Sequence, residues 1–431
     1  MPPFTVPPAV ASRIARYSNQ HTLATLTRTT RTLQEAAEKL LYDYVELFPH
    51  PSVFPLLETL ARCPRVARYV RSYVLTTNPP YRITADLQRT METVVCLREF
   101  WERVGASLAH LAELDLLILV DPTIAQSWIL ERAGRLLRAA EAQLAMAWDE
   151  HVAEFLRMQD RLRCLTITEV AENVPIMVLP RDSLPCLFQF EGPLMIVDLL
   201  LHCPITHLKF PVDTEDAVSL LPLVLSELNQ LKKLRSLSIT MLPADMVLQS
   251  MEIISTSCPN LQYLSHIPLP MDHKSHMTLL SSLTRLPHLR VLEVDIQDWT
   301  PPLTPPFQRA AAASLRMVLP KLRYIFFWGR YERTLWSWAP EDVEPIHVRT
   351  QPVFSVVEEV QDAGVAGGAT GGTGEGASES AGTGGAVATA AAVAAASTVE
   401  ETISYVGLEG WRNSWSAGQN YANSTVWRTA V

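Results

Sequence analysis

The chain has 431 residues, 48% apolar and 19% charged, with a formal net charge of -9. This length exceeds one compact core and fits either a single elongated solenoid or about two to three domains. The acidity opposes broad nucleic-acid binding, which needs a basic footprint, but it leaves room for a local basic patch.

At the N-terminus, MPPFTVPPAV has no basic segment leading into an apolar core, so no secretory leader is expected. The stretch VPPAVASRIARYSNQHTLATLTRTTRTLQEAAEKLL follows from Val6. It predicts a proline-initiated helix with Val10 and Ile14 on one face, since proline is tolerated in a first turn. A turn at Ser18, Asn19 and Gln20 comes next. Two further helices then carry Leu23 and Leu26, and Leu33, Ala37, Leu40 and Leu41. A module this small, residues 1–48, needs a partner or the next domain to be stable. Arg62, Arg65, Arg68 and Arg71 follow, the last three at a spacing that predicts one solvated helical face.

Residues 49–361 carry a recurring pattern, apolar-x-x-apolar-x-apolar. It reads VRSYVL from Val70, LAELDL from Leu111, LRCLTI from Leu162 and ITHLKF from Ile205. It continues as LRSLSI from Leu234, LQYLSHI from Leu261, LRVLEV from Leu289 and LRYIFF from Leu322. In LQYLSHI the last apolar residue comes one place late. From Ile205 the starts lie 29, 27, 28 and 33 residues apart, close to the leucine-rich-repeat period of about 20–29 residues. Before Ile205 the gaps are 41, 51 and 43, which implies longer helices or repeats with degraded strands, LPCLFQF near Leu187 marking one. Between motifs, EDAVSLLPLVLSELNQLKK and ADMVLQSMEIISTSCPN space their apolar residues as helices do. Cys-Pro at Cys63, Cys203 and Cys258, and Leu-Pro at Leu286 and Leu319, should end each helix, because proline disfavours helical geometry in the residue before it. The expected fold is α/β, an irregular leucine-rich-repeat solenoid of short parallel strands with helical returns, behind a small helical module. A mixed α/β domain with amphipathic elements is the alternative.

Trp328, Tyr331, Trp336 and Trp338 crowd the last recognisable repeat, where an array end needs hydrophobic closure; an interface anchor is the other reading. Residues 362–400 are a Gly, Ala, Ser and Thr tract too poor in large apolar side chains to offset ordering entropy, and read as a disordered linker. Its uncharged part is too short of Leu, Ile and Phe for a membrane span. Residues 401–431, with Trp411, Trp415, Tyr421 and Trp427, read as an aromatic segment that can dock back as a cap.

The N-terminal helices resemble an F-box. The matching positions are Val6-Pro7, Ile14, Leu23, Leu26, Arg31 and the pair Leu41-Tyr42, and LLETLARCPRVARYVRSYVL looks like the joining segment of many fungal F-box proteins. The resemblance implies binding to a Skp-type adaptor of an SCF ubiquitin ligase through Pro7, Val10, Ile14, Leu23 and Leu26. It also implies that the repeats hold a protein substrate. The alternative is a repeat scaffold with no ubiquitin-ligase role, its N-terminal helices capping the solenoid.

No catalytic role is expected. There is no G-x-S-x-G, and GGATGGTGEG lacks the lysine of a phosphate loop. The six cysteines are spread without a C-x-x-C pair, which predicts reduced thiols rather than a disulfide framework. Asp272, His273 and His276, with His266 nearby, form the one metal-like group; Asp272 reads better as a helix N-cap, so neither metal nor cofactor is expected. Substrate-facing candidates are the x positions of the strands: Arg235, Ser236, Ser238, Gln262, Arg290 and Glu293. No nucleic-acid or membrane partner is expected, and the chain should be cytoplasmic or nuclear.

Overall fold

In a computed structural model of the protein, residues 6–76, 85–121, 123–134, 137–168, 177–330, 332–338 and 346–352 are described. The tract 362–400, the segment 401–431 and Tyr331 lie outside them.

Three helices open the chain: α1 (Pro8–Arg16), α2 (Gln20–Leu26) and α3 (Arg31–Leu41). Asn19 caps α2 by accepting from the Thr22 N–H, and Thr30 caps α3 by accepting from Leu33, so the turns fall where the sequence places them. Ala15, Leu23 and Ala37 form a small buried centre between the helices, with Leu26, Ala36 and Leu41 packed against it.

The sheet begins at β1 (Tyr44–Leu47), inside the stretch assigned to the helical module. Next come α4 (Phe54–Arg62), α5 (Pro64–Ala67), β2 (Ser72–Leu75), α6 (Ala85–Val95), α7 (Arg98–Leu108) and β3 (Leu114–Val120). A 3-10 turn at Ser127–Arg132 leads to β4 (Leu137–Ala145), α8 (Glu150–Arg157), β5 (Cys164–Ile167) and β6 (Gln189–Glu191). The regular half runs α9 (Leu194–Leu199), β7 (His207–Pro211), α10 (Glu215–Glu227), β8 (Ser236–Thr240), α11 (Val247–Ser257) and β9 (Tyr263–Pro268). It ends with α12 (His273–Leu283), β10 (Val291–Asp295), α13 (Pro305–Val318), β11 (Tyr324–Trp328), β12 (Glu332–Ser337) and β13 (Ile346–Pro352).

Among the described residues these strands make one sheet in sequence order, parallel from β1 to β11 and antiparallel from β11 to β13. Parallel neighbours joined by helical returns on one face are the solenoid the repeats predict. Every motif read from the sequence ends in a strand. The long early gaps have two causes. Between Leu111 and Ile205 they hide β4 and β6, whose sequences lack the full motif, whereas the Val70–Leu111 gap holds two helices, α6 and α7.

One register line carries the core. Val45, Tyr73, Leu117, Ala142, Leu165 and Phe190 pair in succession from β1 to β6. The line continues through Leu208, Leu237, Leu264, Leu292 and Ile325 to Trp336 of the antiparallel β12. All of these residues are buried. Trp336 and Trp338 thereby close the array end as a cap would. Three of the five prolines act as expected, whereas α9 and α12 end before Cys203-Pro204 and Leu286-Pro287 are reached. Cys63, Cys258 and Leu319 each cap a helix C-terminus in non-helical geometry immediately before proline.

Gly192, just after β6, has no space for a side chain: an added Cβ would lie 2.8 Å from Phe190 Cζ and 2.9 Å from the Ile167 carbonyl oxygen. Because the carbonyl cannot swing away, Gly192→Ala should destabilise the protein by about 1–3 kcal/mol. A urea midpoint equal to that of the unaltered chain would contradict this packing.

Candidate functional site

The helices pack on one face of the sheet, and the other face carries polar side chains that are themselves largely buried. Alternation along each strand sends Gln143, Thr166, Glu191, Lys209, Ser238 and Ser265 to that second face in register. At β9 the alternation breaks. His266 adopts φ 60°, and the register with β10 shifts so that Leu264 pairs with Leu292 but Ile267 pairs with Val294. This is a β-bulge. The extra residue lets Ser265 and His266 both face outward while Ile267 returns to the core, which explains the late apolar residue of LQYLSHI.

A polar cluster forms around the bulge. Glu293 of β10 is 3% exposed and pairs with Arg333 of β12, Nη2 to Oε1 at 2.9 Å. Its other oxygen accepts from Trp328 Nε1 at 2.7 Å and from Ser265 Oγ at 3.0 Å. Arg333 lies over two rings, 4.0 Å from the Phe326 centroid and 4.5 Å from that of Trp328. His266 stacks on Trp328 at 5.1 Å. A second buried pair, Lys209 Nζ to Glu191 Oε1 at 2.7 Å, bridges β6 and β7. Burial alone would raise the Glu293 carboxyl, but Arg333, His266 and the Trp328 and Tyr263 donors together hold it below the ordinary value. Burial lowers His266, and Lys209 and Arg333 lower it further against the pull of Glu293.

Ser265, His266 and Glu293 look superficially like a hydrolase triad, but their order is wrong. In a relay the carboxylate holds one ring nitrogen of the histidine while the other takes the serine proton. Here Ser265 Oγ donates to Glu293 and meets His266 Nδ1 as well, so both partners address the same oxygen. That arrangement fixes the hydroxyl and does not activate it.

The substrate-facing candidates divide. Arg235 and Arg290 are exposed and Gln262 is half-buried, whereas Ser236, Ser238 and Glu293 are buried, against expectation. Outward-facing side chains on this sheet shield one another, so facing away from the core does not guarantee solvent contact. At the N-terminus Pro7, Val10 and Ile14 are exposed, but Leu23 lies in the helical centre and Leu26 packs against it; the small Ala11 and Ala15 are the buried residues of α1. The arginine run also departs from expectation. Arg65 forms a double ion pair with Glu38 of α3 and Arg71 reaches Glu113 at 3.1 Å, while Arg62 and Arg68 stay exposed, so the run divides between docking and solvent. Asp272 does cap α12, accepting from the Ser275 N–H at 2.8 Å. Among the described residues no group of three His, Cys, Asp or Glu side chains is placed to hold a metal, and no helix is long and apolar enough to cross a membrane. Sequence reasoning missed Lys209, Tyr263 and Arg333, and placed His266 only beside a metal-like group; the late apolar residue after His266 was the one signal of the bulge.

No family model matches the chain, and no curated protein matches it. Among solved structures, the leucine-rich repeat-containing protein LegL7 from Legionella pneumophila aligns at 13% identity and a TM-score of 0.40, over 67% of this chain and 91% of that one.

Two outcomes follow from the cluster. Glu293→Gln strands the buried Arg333 charge and should cost about 3–5 kcal/mol in urea unfolding. His266 and His207 are both lowered from 6.5, chiefly by burial, so below that value the unfolded chain takes up protons that the folded chain refuses. Stability should therefore fall as the pH drops from about 6.5, and fall again below about 4.5 as the depressed Glu293 and Glu38 carboxylates are protonated. A urea midpoint that stays flat between about pH 7 and pH 5 would be incompatible with two buried neutral histidines.

Proposed function

We propose that the protein is a non-catalytic protein-interaction scaffold. The observation that carries this reading is the repeat architecture: a long sheet backed by helices on one side, whose other side gathers paired charges and aromatic rings. Such surfaces recognise protein segments by shape and charge.

A more specific reading, an adaptor-binding substrate receptor of an SCF-type ubiquitin ligase, draws support from the N-terminal helices. A solenoid cap would send its apolar residues into the core of the array. These helices instead keep a small centre of their own, separate from the main core, and are tied to the array through Glu38 and Arg65. Meanwhile α1 leaves Val10 48%, Ile14 43% and Tyr17 79% exposed beside Pro7. An apolar helix face left open on a small docked module suits insertion into the groove of a partner. Leu23, which the resemblance also implicated, is already used within the module.

Co-expression with a Skp-type adaptor tests this. The unaltered chain should co-purify with the adaptor, and a Val10→Glu, Ile14→Glu double variant should lose it while keeping its melting temperature, because both positions are on the surface. If the unaltered chain purifies free of co-expressed adaptor, the ubiquitin-ligase reading fails and the general scaffold reading stands.

A further inference from the structure

The sheet layer of the array is closed at its end, and the helix layer is not. β12 and β13 cover the last parallel strand, and Trp336 and Trp338 seal the core, Trp336 Nε1 donating to Gln308 of α13 at 3.2 Å. Among the described residues no helix follows α13, so it lacks the next neighbour that α10, α11 and α12 each have. An array end in that state calls for a cap.

The outer side of α13 is an apolar stripe. Phe307 is 67% and Met317 82% exposed, and with Ala310 and Ser314 they recur three and four residues apart along about 15 Å of one face. Gln308, Ala312 and Leu315 take the opposite, buried face. The Ser314 hydroxyl donates to the Ala310 carbonyl at 3.0 Å, so it is already satisfied within the helix. On α12, Met277 is 51% exposed. α13 packs more loosely on α12 than α12 packs on α11. The cause is the connection that precedes it, residues 296–304, where the previous repeat uses only 269–272. Trp299 in that connection donates from Nε1 to the Leu269 carbonyl at 2.8 Å and so fills the space between the two repeats. Neither α12 nor α13 contains a carboxylate, and Lys274, Arg309 and Arg316 make the pair basic. Scattered exposed apolar residues are ordinary, but a continuous stripe marks a contact.

Residues 353–431 continue from β13, at this same end of the array. Their last part holds Trp411, Trp415, Tyr421 and Trp427. Leu408, Trp411 and Trp415 recur at three and four, the spacing of the stripe on α13. Ahead of the tryptophans, Glu401 and Glu409 stand without a cation between them, a charge complementary to α12 and α13. Fully extended, residues 353–400 would span about 150 Å, so reach sets no limit. A tether also holds its end at a local concentration of up to about millimolar, enough to populate a contact of modest affinity.

We propose that residues 401–431 dock on the outer surface of α12 and α13, with Trp411 and Trp415 along the Phe307–Met317 stripe, and so close the helix layer. The aromatic segment and the stripe belong to one end of one chain, which favours this occupant over a second copy. The docking does not depend on what the sheet face binds.

The full-length chain serves for the test. p-Benzoylphenylalanine placed at Met317 should, on irradiation, cross-link within the monomer to residues 401–431, located by mass spectrometry. The same group at Met241, 65% exposed on an earlier repeat, should not. Hydrogen exchange supplies the second readout. The α13 amides should exchange about tenfold faster in Trp411→Ser, Trp415→Ser, and likewise in Phe307→Glu, Met317→Glu, while α10 is unchanged. Because Met317 is on the surface, the cross-link decides the matter even where a double variant loses its fold. Cross-links from Met317 to a second chain assign the stripe to a dimer and overturn the proposal. Cross-links only to other parts of the same chain, or α13 exchange indifferent to both double variants, overturn it as well.

Discussion

A single register line of buried side chains, running from Val45 through Leu237 to Ile325, is the constraint on which the remaining structure rests. No strand and helix in this array can enclose an apolar core alone; each becomes stable only when its neighbour covers it. Parallel pairing in fixed register is what aligns the line, because a slip by one residue would turn every leucine outward. The line also dictates how the array stops. At β11 the next strand runs antiparallel, and Trp336 takes the place that a further leucine would fill. Bulk replaces repetition there, and no additional repeat is required.

The same constraint generates the polar cluster. An inserted residue in β9 must either shift all later strands or be expelled locally, and the bulge at His266 expels it. Its consequence is chemical as well as geometric. Two adjacent side chains now face outward, so His266 reaches the Trp328 ring while Ser265 reaches Glu293. Burying an ion pair such as Glu293–Arg333 rarely adds stability over an apolar pair of equal volume. What the pair adds is directionality, since the carboxylate must meet Arg333, Trp328 and Ser265 together. β12 is thereby held against β10 and β11 in one arrangement.

Much of this was legible in the sequence because core packing has a short period. The motif starting at Leu234 or Leu289 needs only three apolar positions, and each such motif became a strand. The strands β4 and β6 were harder to read. Ala142 occupies the core line where leucine is usual, and β6 is short, so neither repeats the full pattern. Surface exposure was less legible still. Alternation says that Ser236, Ser238 and Glu293 face away from the helices, but whether water reaches them depends on side chains from neighbouring strands. Lys209 and Arg333 lie far apart in sequence from the carboxylates they meet. The N-terminal module shows the converse: its helices and caps follow from Asn19, Thr30 and Pro8, yet only packing reveals that Ala11 and Ala15 take the buried face of α1 and leave Val10 and Ile14 outside.

Acidic residues at the ends of strands, where helices begin, have a simple origin. Helix N-termini cluster where strands end and helix C-termini where strands begin, so macrodipoles favour acids on one rim and bases on the other. Asp272 as an N-cap, and Glu215 and Asp216 in the first turn of α10, follow that rule. A dipole contribution is satisfied by cations in the last helical turn, however, and Arg235, Arg290 and Arg323 lie beyond it, at the starts of the strands. Charges placed there gain little from the helices and repel one another.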